Sequence, residues 1–361
     1  MPTITPLPFD TAFEILEEGE AQTRAELVQA VLSVSDTTHA DSGQALRSVH
    51  AKSHGLLHGE LQVLDIPLPY AQGLFAGTRT LPVIIRLSTA PGDVLDDAVS
   101  TPRGFALKVV GVEGERLPDS SGISQDFLLV NSPTFAAPDA RRFLGSVKLL
   151  AATTDKVPNL KKAFSAVLRG TEKIVEAFGG ESGTLKGLGG HPTTNPLGET
   201  YFSQVPFLYG LYMAKWAVVP VSPELIALKD APVDLRNRPH GLRDAVNHFF
   251  ASQAAEWELR VQLCTDLKTM PIEDASVEWP QAQSPFVAVA RISVAPQTAW
   301  DHERSAAIDE DLSFDPWRGL AAHRPLGSIN RVRRAAYAAS AAARAARRAP
   351  RPSREAAGEA A

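Results

Sequence analysis

Arg333 and Tyr337 lie four residues apart in the run Gly327-Ser328-Ile329-Asn330-Arg331-Val332-Arg333-Arg334-Ala335-Ala336-Tyr337. On a helix, residues at that spacing stack on one face. A permanent cation beside a phenol favours the phenolate, because an opposite charge lowers an acid's pKa. A phenolate is a hard anionic ligand suited to ferric iron, and tyrosine is among the side chains that ligate haem iron. The same spacing also describes a basic surface helix with a lone tyrosine, and local chemistry alone does not separate the two.

A second group is Arg47-Ser48-Val49-His50-Ala51-Lys52. A histidine beside cations, just before a strand, can act as a general acid or base near neutral pH. Alone, such a histidine is more often a packed or surface residue. In Arg86-Leu87-Ser88-Thr89, a strand would put Arg86 and Ser88 on one face. The Ser88 hydroxyl could then hold a histidine ring nitrogen and fix its tautomer, or simply end a strand. In Asp126-Phe127-Leu128-Leu129-Val130-Asn131-Ser132-Pro133, Asn131 is either a neutral hydrogen-bond donor beside a pocket or a turn residue. His54 and His58 follow His50 at four-residue steps, but no carboxylate or cysteine accompanies them at ligand spacing, so a metal set there is not expected. Cys264 is the only cysteine, which excludes an internal disulfide and fits a small buried hydrophobe.

The elements that must position these groups follow from periodicity. Residues 11–33 carry helical spacing with many charges, and predict a helical arm within residues 1–40. Segments 56–66, 81–89, 103–112 and 124–130 read as strands, bounded by Gly, Pro and Asp clusters. Segments 139–153 and 158–179 read as helices. Alternation in 257–263 and 286–294 predicts two more strands, and 317–348 reads as an Ala/Arg-rich helical region. Residues 41–348 would form the main domain and 349–361 a disordered tail. Strands segregated from helices predict an α+β class, and many short antiparallel strands permit a barrel.

Composition sets outer bounds. The 361 residues are 44% hydrophobic and 21% charged, enough for a sizeable core. A net charge of −5 argues against a nucleic-acid partner. No signal peptide and no apolar run of membrane-spanning length is visible, so the cytoplasm is the default expectation.

Taken in order, these segments resemble the catalase superfamily, and in particular its short peroxidase-like branch, over roughly residues 40–340. The family's distal motif corresponds to Arg47–Lys52, its Arg-Phe-Ser-Thr strand to Arg86–Thr89, and its Pro-Arg-Gly-Phe-Ala-x-Lys strand to Pro102–Lys108. Its Asn-x-Pro segment corresponds to Asn131–Pro133 and its proximal Arg-x-x-x-Tyr to Arg333–Tyr337; Pro271–Pro280 looks like the short branch's own signature. The resemblance implies an eight-stranded antiparallel β-barrel with surrounding helices. It implies haem b with ferric iron, ligated by Tyr337 with Arg333 holding the phenolate. His50 would be the distal acid/base, Ser88 its orienting partner and Asn131 the distal donor. Arg47 and Arg86 would pair with the propionates, Val49 would line the channel, and Phe105 and Phe135 would face the haem or its channel.

The implied activity is cleavage of hydrogen peroxide or organic hydroperoxides, with a small organic donor or a lipid hydroperoxide as partner, by a dimer or tetramer. Two other functions fit the same scaffold: a hydroperoxide isomerase of the allene oxide synthase type, and a haem- or lipid-binding barrel without turnover. The former relatives carry threonine where this chain has Val49. Some family features are missing. No NADPH site is assignable, and a different run, His191–Asn195, stands where a His-Met-x-Gly-Tyr-Gly segment is usual. The usual Asn-Asn-Thr-Pro reads Val130-Asn131-Ser132-Pro133, so an ungapped alignment puts Val130 at the distal donor position.

Overall fold

Alternation of apolar and polar residues is what rolls this chain into a barrel. In Ala255–Leu263, Ala255, Trp257, Leu259 and Val261 are buried while Glu256, Glu258 and Arg260 face outward. The computed structural model describes residues 4–90, 92, 94–120, 122–153 and 193–348.

The strands are β1 (Lys52–Val63), β2 (Thr80–Thr89), β3 (Arg103–Val110), β4 (Ser124–Val130), β5 (Tyr201–Phe202), β6 (Phe207–Tyr209), β7 (Tyr212–Pro220), β8 (Ala255–Leu263) and β9 (Val287–Val294). Their order is β5-β4-β3-β2-β1-β9-β8-β7-β6, and β5 also pairs with β7. That second pairing closes an eight-stranded antiparallel barrel, with β6 attached as a hairpin to β7. Closure removes the exposed sheet edges of an open sheet. The interior is filled by Leu57, Ile85, Leu107, Leu129, Trp216 and Leu259, among others.

The helices among the described residues are α1 (Glu20–Ser42), α2 (Ala140–Thr153), α3 (Pro223–Ile226), α4 (Gly241–Phe250), α5 (Arg304–Asp311) and α6 (Ser328–Arg347). α1, α2 and α6 pack together through Leu27, Val31, Leu144, Val147, Val332 and Ala336. The Pro271–Pro280 segment anchors this layer: Glu273 accepts from the Ser328 backbone N–H and pairs with Arg331, which also meets Glu14 and Glu20.

The arm helix begins later than its charge pattern predicts. Gly19, in the left-handed region at φ 80°, starts α1, and residues 11–13 form only a single 3₁₀ turn. In the C-terminal region the helix starts at Ser328, because Pro316, Pro325 and Gly327 (φ 83°) break what precedes it. β5–β7 and α4 carry no strong isolated signal and were not foreseen. The expected helix at 158–179, the run beginning at His191 and the tail at 349–361 lie wholly or partly outside the described residues. Among the described residues, no helix is long and apolar enough to cross a membrane.

Candidate active site

The outer face of β2, β3 and β4 forms the floor of a cavity of about 360 Å³, roofed by α1, α2 and α6. Strand register explains which side chains reach it. Ser88 opposes Gly104, which opposes Val130; the next row is Arg86, Ala106 and Leu128. Side chains opposite one another share a face, and all six of these residues border the cavity. The intervening Leu87, Phe105 and Leu129 point into the barrel interior and are buried there.

His50 sits over this floor. Its φ of 54° is rare for a non-glycine residue. The conformation is held from both sides: Arg86 Nη1 donates to the His50 carbonyl at 2.9 Å, and Ser88 Oγ lies 3.2 Å from the ring Nδ1. When Ser88 accepts from Nδ1–H, the lone pair resides on Nε2, the nitrogen left for the cavity. Burial pushes the imidazole pKa down to about 3, with the charges of Arg86, Arg333 and Arg47 acting in the same direction. His50 is therefore a neutral base at neutral pH.

Gly104 makes this packing possible. A Cβ there would stand 2.7 Å from His50 Nδ1 and 2.9 Å from Ser88 Oγ. Restoring an ordinary contact of about 3.5 Å requires the ring to move by close to 1 Å. Gly104→Ala is expected to break the Ser88–His50 bond with the barrel intact, which a crystal structure of the variant, or the imidazole nitrogen shifts by NMR, would show.

On the roof, Arg333 Nη2 donates to Tyr337 Oη at 2.9 Å, and the guanidinium lies 5.2 Å from the ring centroid. The helical spacing therefore produces the predicted pair, and both residues border the cavity that His50 and Ser88 border.

At one end of the cavity stand Arg47, Arg86 and Arg344. Asp309, at the end of α5, meets Arg86 bidentately at 2.6 and 3.1 Å and Arg47 at 2.9 Å. Arg47 and Arg344 also donate to backbone carbonyls of residues 309–312, and Arg86 to those of His50 and Ala51. Burial works against the Asp309 carboxylate, but Arg86 and Arg47 outweigh it and hold the carboxyl below its ordinary pKa. Burial, then the like charge of Arg86, take Arg47 down to about 9 despite Asp309. It remains a cation at neutral pH.

The sequence-predicted residues Arg47, Val49, His50, Arg86, Ser88, Phe105, Phe135, Arg333 and Tyr337 all border this one cavity. Two expectations need correction. Asn131 is not on its wall: Nδ2 donates to Glu199 at 2.6 Å and Oδ1 accepts from the Arg103 backbone at 2.8 Å. Being one residue beyond Val130, it faces away from the cavity. Phe105 borders the cavity, but its ring packs inside the barrel against Tyr201 and Trp257. Arg47 and Arg86, expected to be held for an external anion, already share Asp309. Arg344 was missed, although its seven-residue spacing from Tyr337 places it two turns along the same helix face. Nothing in the sequence pointed to Asp309, which reaches the site from a separate helix.

No protein-family model and no curated protein sequence matches the chain. Solved structures do. The fold matches a fungal catalase with TM-score 0.60 and 17% identity, covering 86% of this chain and 61% of that one. It matches a bacterial catalase with TM-score 0.60 and 16% identity, covering 85% and 59%. It matches catalase A from Saccharomyces cerevisiae with TM-score 0.60 and 18% identity, covering 86% and 63%. The chain has the catalase fold. It spans about three fifths of the length of these catalases.

Proposed function

We propose that this catalase-fold chain binds haem b in the cavity, with Tyr337 as the iron ligand, and reduces peroxides there. One observation carries the reading: the His50–Ser88 pair on the barrel and the Arg333–Tyr337 pair on α6 border the same cavity. The residues present fit the group. Tyr337 offers an oxygen already held by a cation, and the walls between are apolar: Val49, Ala106, Leu128, Val130 and Phe135. The surplus positive charge of Arg47, Arg86 and Arg344 suits the two propionates, which guanidinium forks bind well.

Bound there, ferric haem supplies the redox chemistry that cleaves a peroxide O–O bond. The chain's own residues do the rest. Arg333 donates to the Tyr337 oxygen and fixes its position. His50 Nε2 takes the proton from one peroxide oxygen and delivers it to the departing one, and Ser88 keeps the ring in register for both transfers. Val49 and Phe135 exclude water. Overall, ROOH becomes ROH and H₂O by taking up two electrons and two protons, drawn from a small organic donor AH₂ that leaves as A. The direct test is reconstitution with haem: a tyrosinate-type ferric absorption spectrum with donor-dependent peroxide consumption is expected. A full chain that takes up no haem would overturn the reading.

Asp309→Asn gives a second check. Removing a buried ion's partner typically costs about 3–5 kcal/mol, so the haem-free variant should unfold at clearly lower denaturant than the parent. Haem should recover most of that loss, because its propionates bring replacement anions. Denaturant melts with and without haem measure both.

A further inference from the structure

Val130, rather than an amide, occupies the wall next to His50. The row Ser88–Gly104–Val130 crosses three adjacent strands. His50 Nδ1 lies within 2.7 Å of the position a Cβ on Gly104 would take. Neighbouring strands lie about 4.8 Å apart, so the first side chain beyond the imidazole on that face is Val130. Asn131 is committed to Glu199 and Arg103 on the opposite face. Polar groups further along the same edge spend donors on backbone carbonyls: Ser132 Oγ donates to Thr134, Ser203 Oγ to Val205, and Gln204 Nε2 to Thr134.

From this we infer that Val130 is the specificity-determining residue of the site, and that it selects alkyl hydroperoxides over hydrogen peroxide. The inference rests on the haem reading above. Hydrogen peroxide carries an O–H at each end. With His50 serving one end, the other would be buried against the Val130 methyls, and burying a hydroxyl without a partner is unfavourable. An alkyl hydroperoxide has only one O–H to place. Its carbon end meets Val130 and Leu128, which need no hydrogen bond. Apolar walls reject an extra hydroxyl only by about 10²-fold at most, so the preference is graded, not absolute.

The test uses the haem-reconstituted full chain with tert-butyl hydroperoxide and hydrogen peroxide. In the parent, kcat/KM for the alkyl peroxide should exceed that for hydrogen peroxide by about 10-fold or more. Val130→Asn should reverse the order, chiefly by raising hydrogen peroxide turnover. Val130→Thr, which adds a hydroxyl at nearly equal volume, should move the ratio the same way if the larger change disturbs folding. Cyanide affinity of the ferric protein gives a readout independent of turnover, and should tighten several-fold in both variants. A haem-loaded parent that prefers hydrogen peroxide, or variants that alter neither the ratio nor cyanide binding, would overturn this inference and leave the haem reading standing. Absence of a haem complex in the parent would defeat both.

Discussion

Replacing Tyr337 with phenylalanine should abolish the tyrosinate-type haem spectrum and, with it, peroxide turnover. The change removes one oxygen and keeps the ring, so the packing of α6 against α1 and α2 through Val332 and Ala336 is untouched. What is lost is the atom to which Arg333 donates at 2.9 Å. Phenylalanine has no lone pair for iron, and no other described cavity residue at that position on α6 supplies an anionic oxygen. Titrating haem into the parent and the variant, and following the absorption maximum, separates ligation from folding. Far-UV circular dichroism of the two should coincide. A variant with the parent's spectrum would mean that Tyr337 is not the ligand.

His50→Ala is the second large effect, and its signature is different. Haem should still bind with the parental spectrum, while peroxide turnover falls by about 10²–10⁴-fold, the usual contribution of a positioned general acid/base. The pH profile adds a sharper criterion. Because burial and nearby arginines lower the imidazole pKa to about 3, its base form persists well below the ordinary histidine range. The acid limb attributable to His50 should therefore lie well below 6.5. Stability follows the same sign. A histidine kept neutral in the folded state takes up its proton more readily when unfolded, so its presence costs stability as pH falls below about 6.5. The alanine variant should lose activity yet resist acid better than the parent. Stopped-flow peroxide assays and acid unfolding curves measure the two; a parental rate in the variant would remove His50 from the chemistry.

The sequence alone determined the local parts. Alternation in β8 and β9 specified strands, and the four-residue spacing of Arg333 and Tyr337 specified their pairing, since helix geometry depends only on nearby residues. The ordered motifs from Arg47 to Tyr337 carried the resemblance to catalases, which the fold bears out. Periodicity of two along β4 even contained the answer for position 130, because Val130 shares a face with Leu128 and Asn131 does not.

Which face meets the cavity, however, is decided by register against β3 and by the ring of His50 lying over Gly104. Those pairings join residues far apart in the chain, and no local pattern encodes them. The same holds for Asp309. As a residue on a polar, solvent-facing helix it is unremarked, and only packing of α5 against the barrel end brings it to Arg47 and Arg86. Phe105 shows the converse: a motif placed it near the site, but the barrel interior claimed its ring, because burying an aromatic beside Tyr201 and Trp257 satisfies the core. Chemistry-bearing residue types were legible one by one; their convergence on a single cavity is a property of the closed barrel and the helices that roof it.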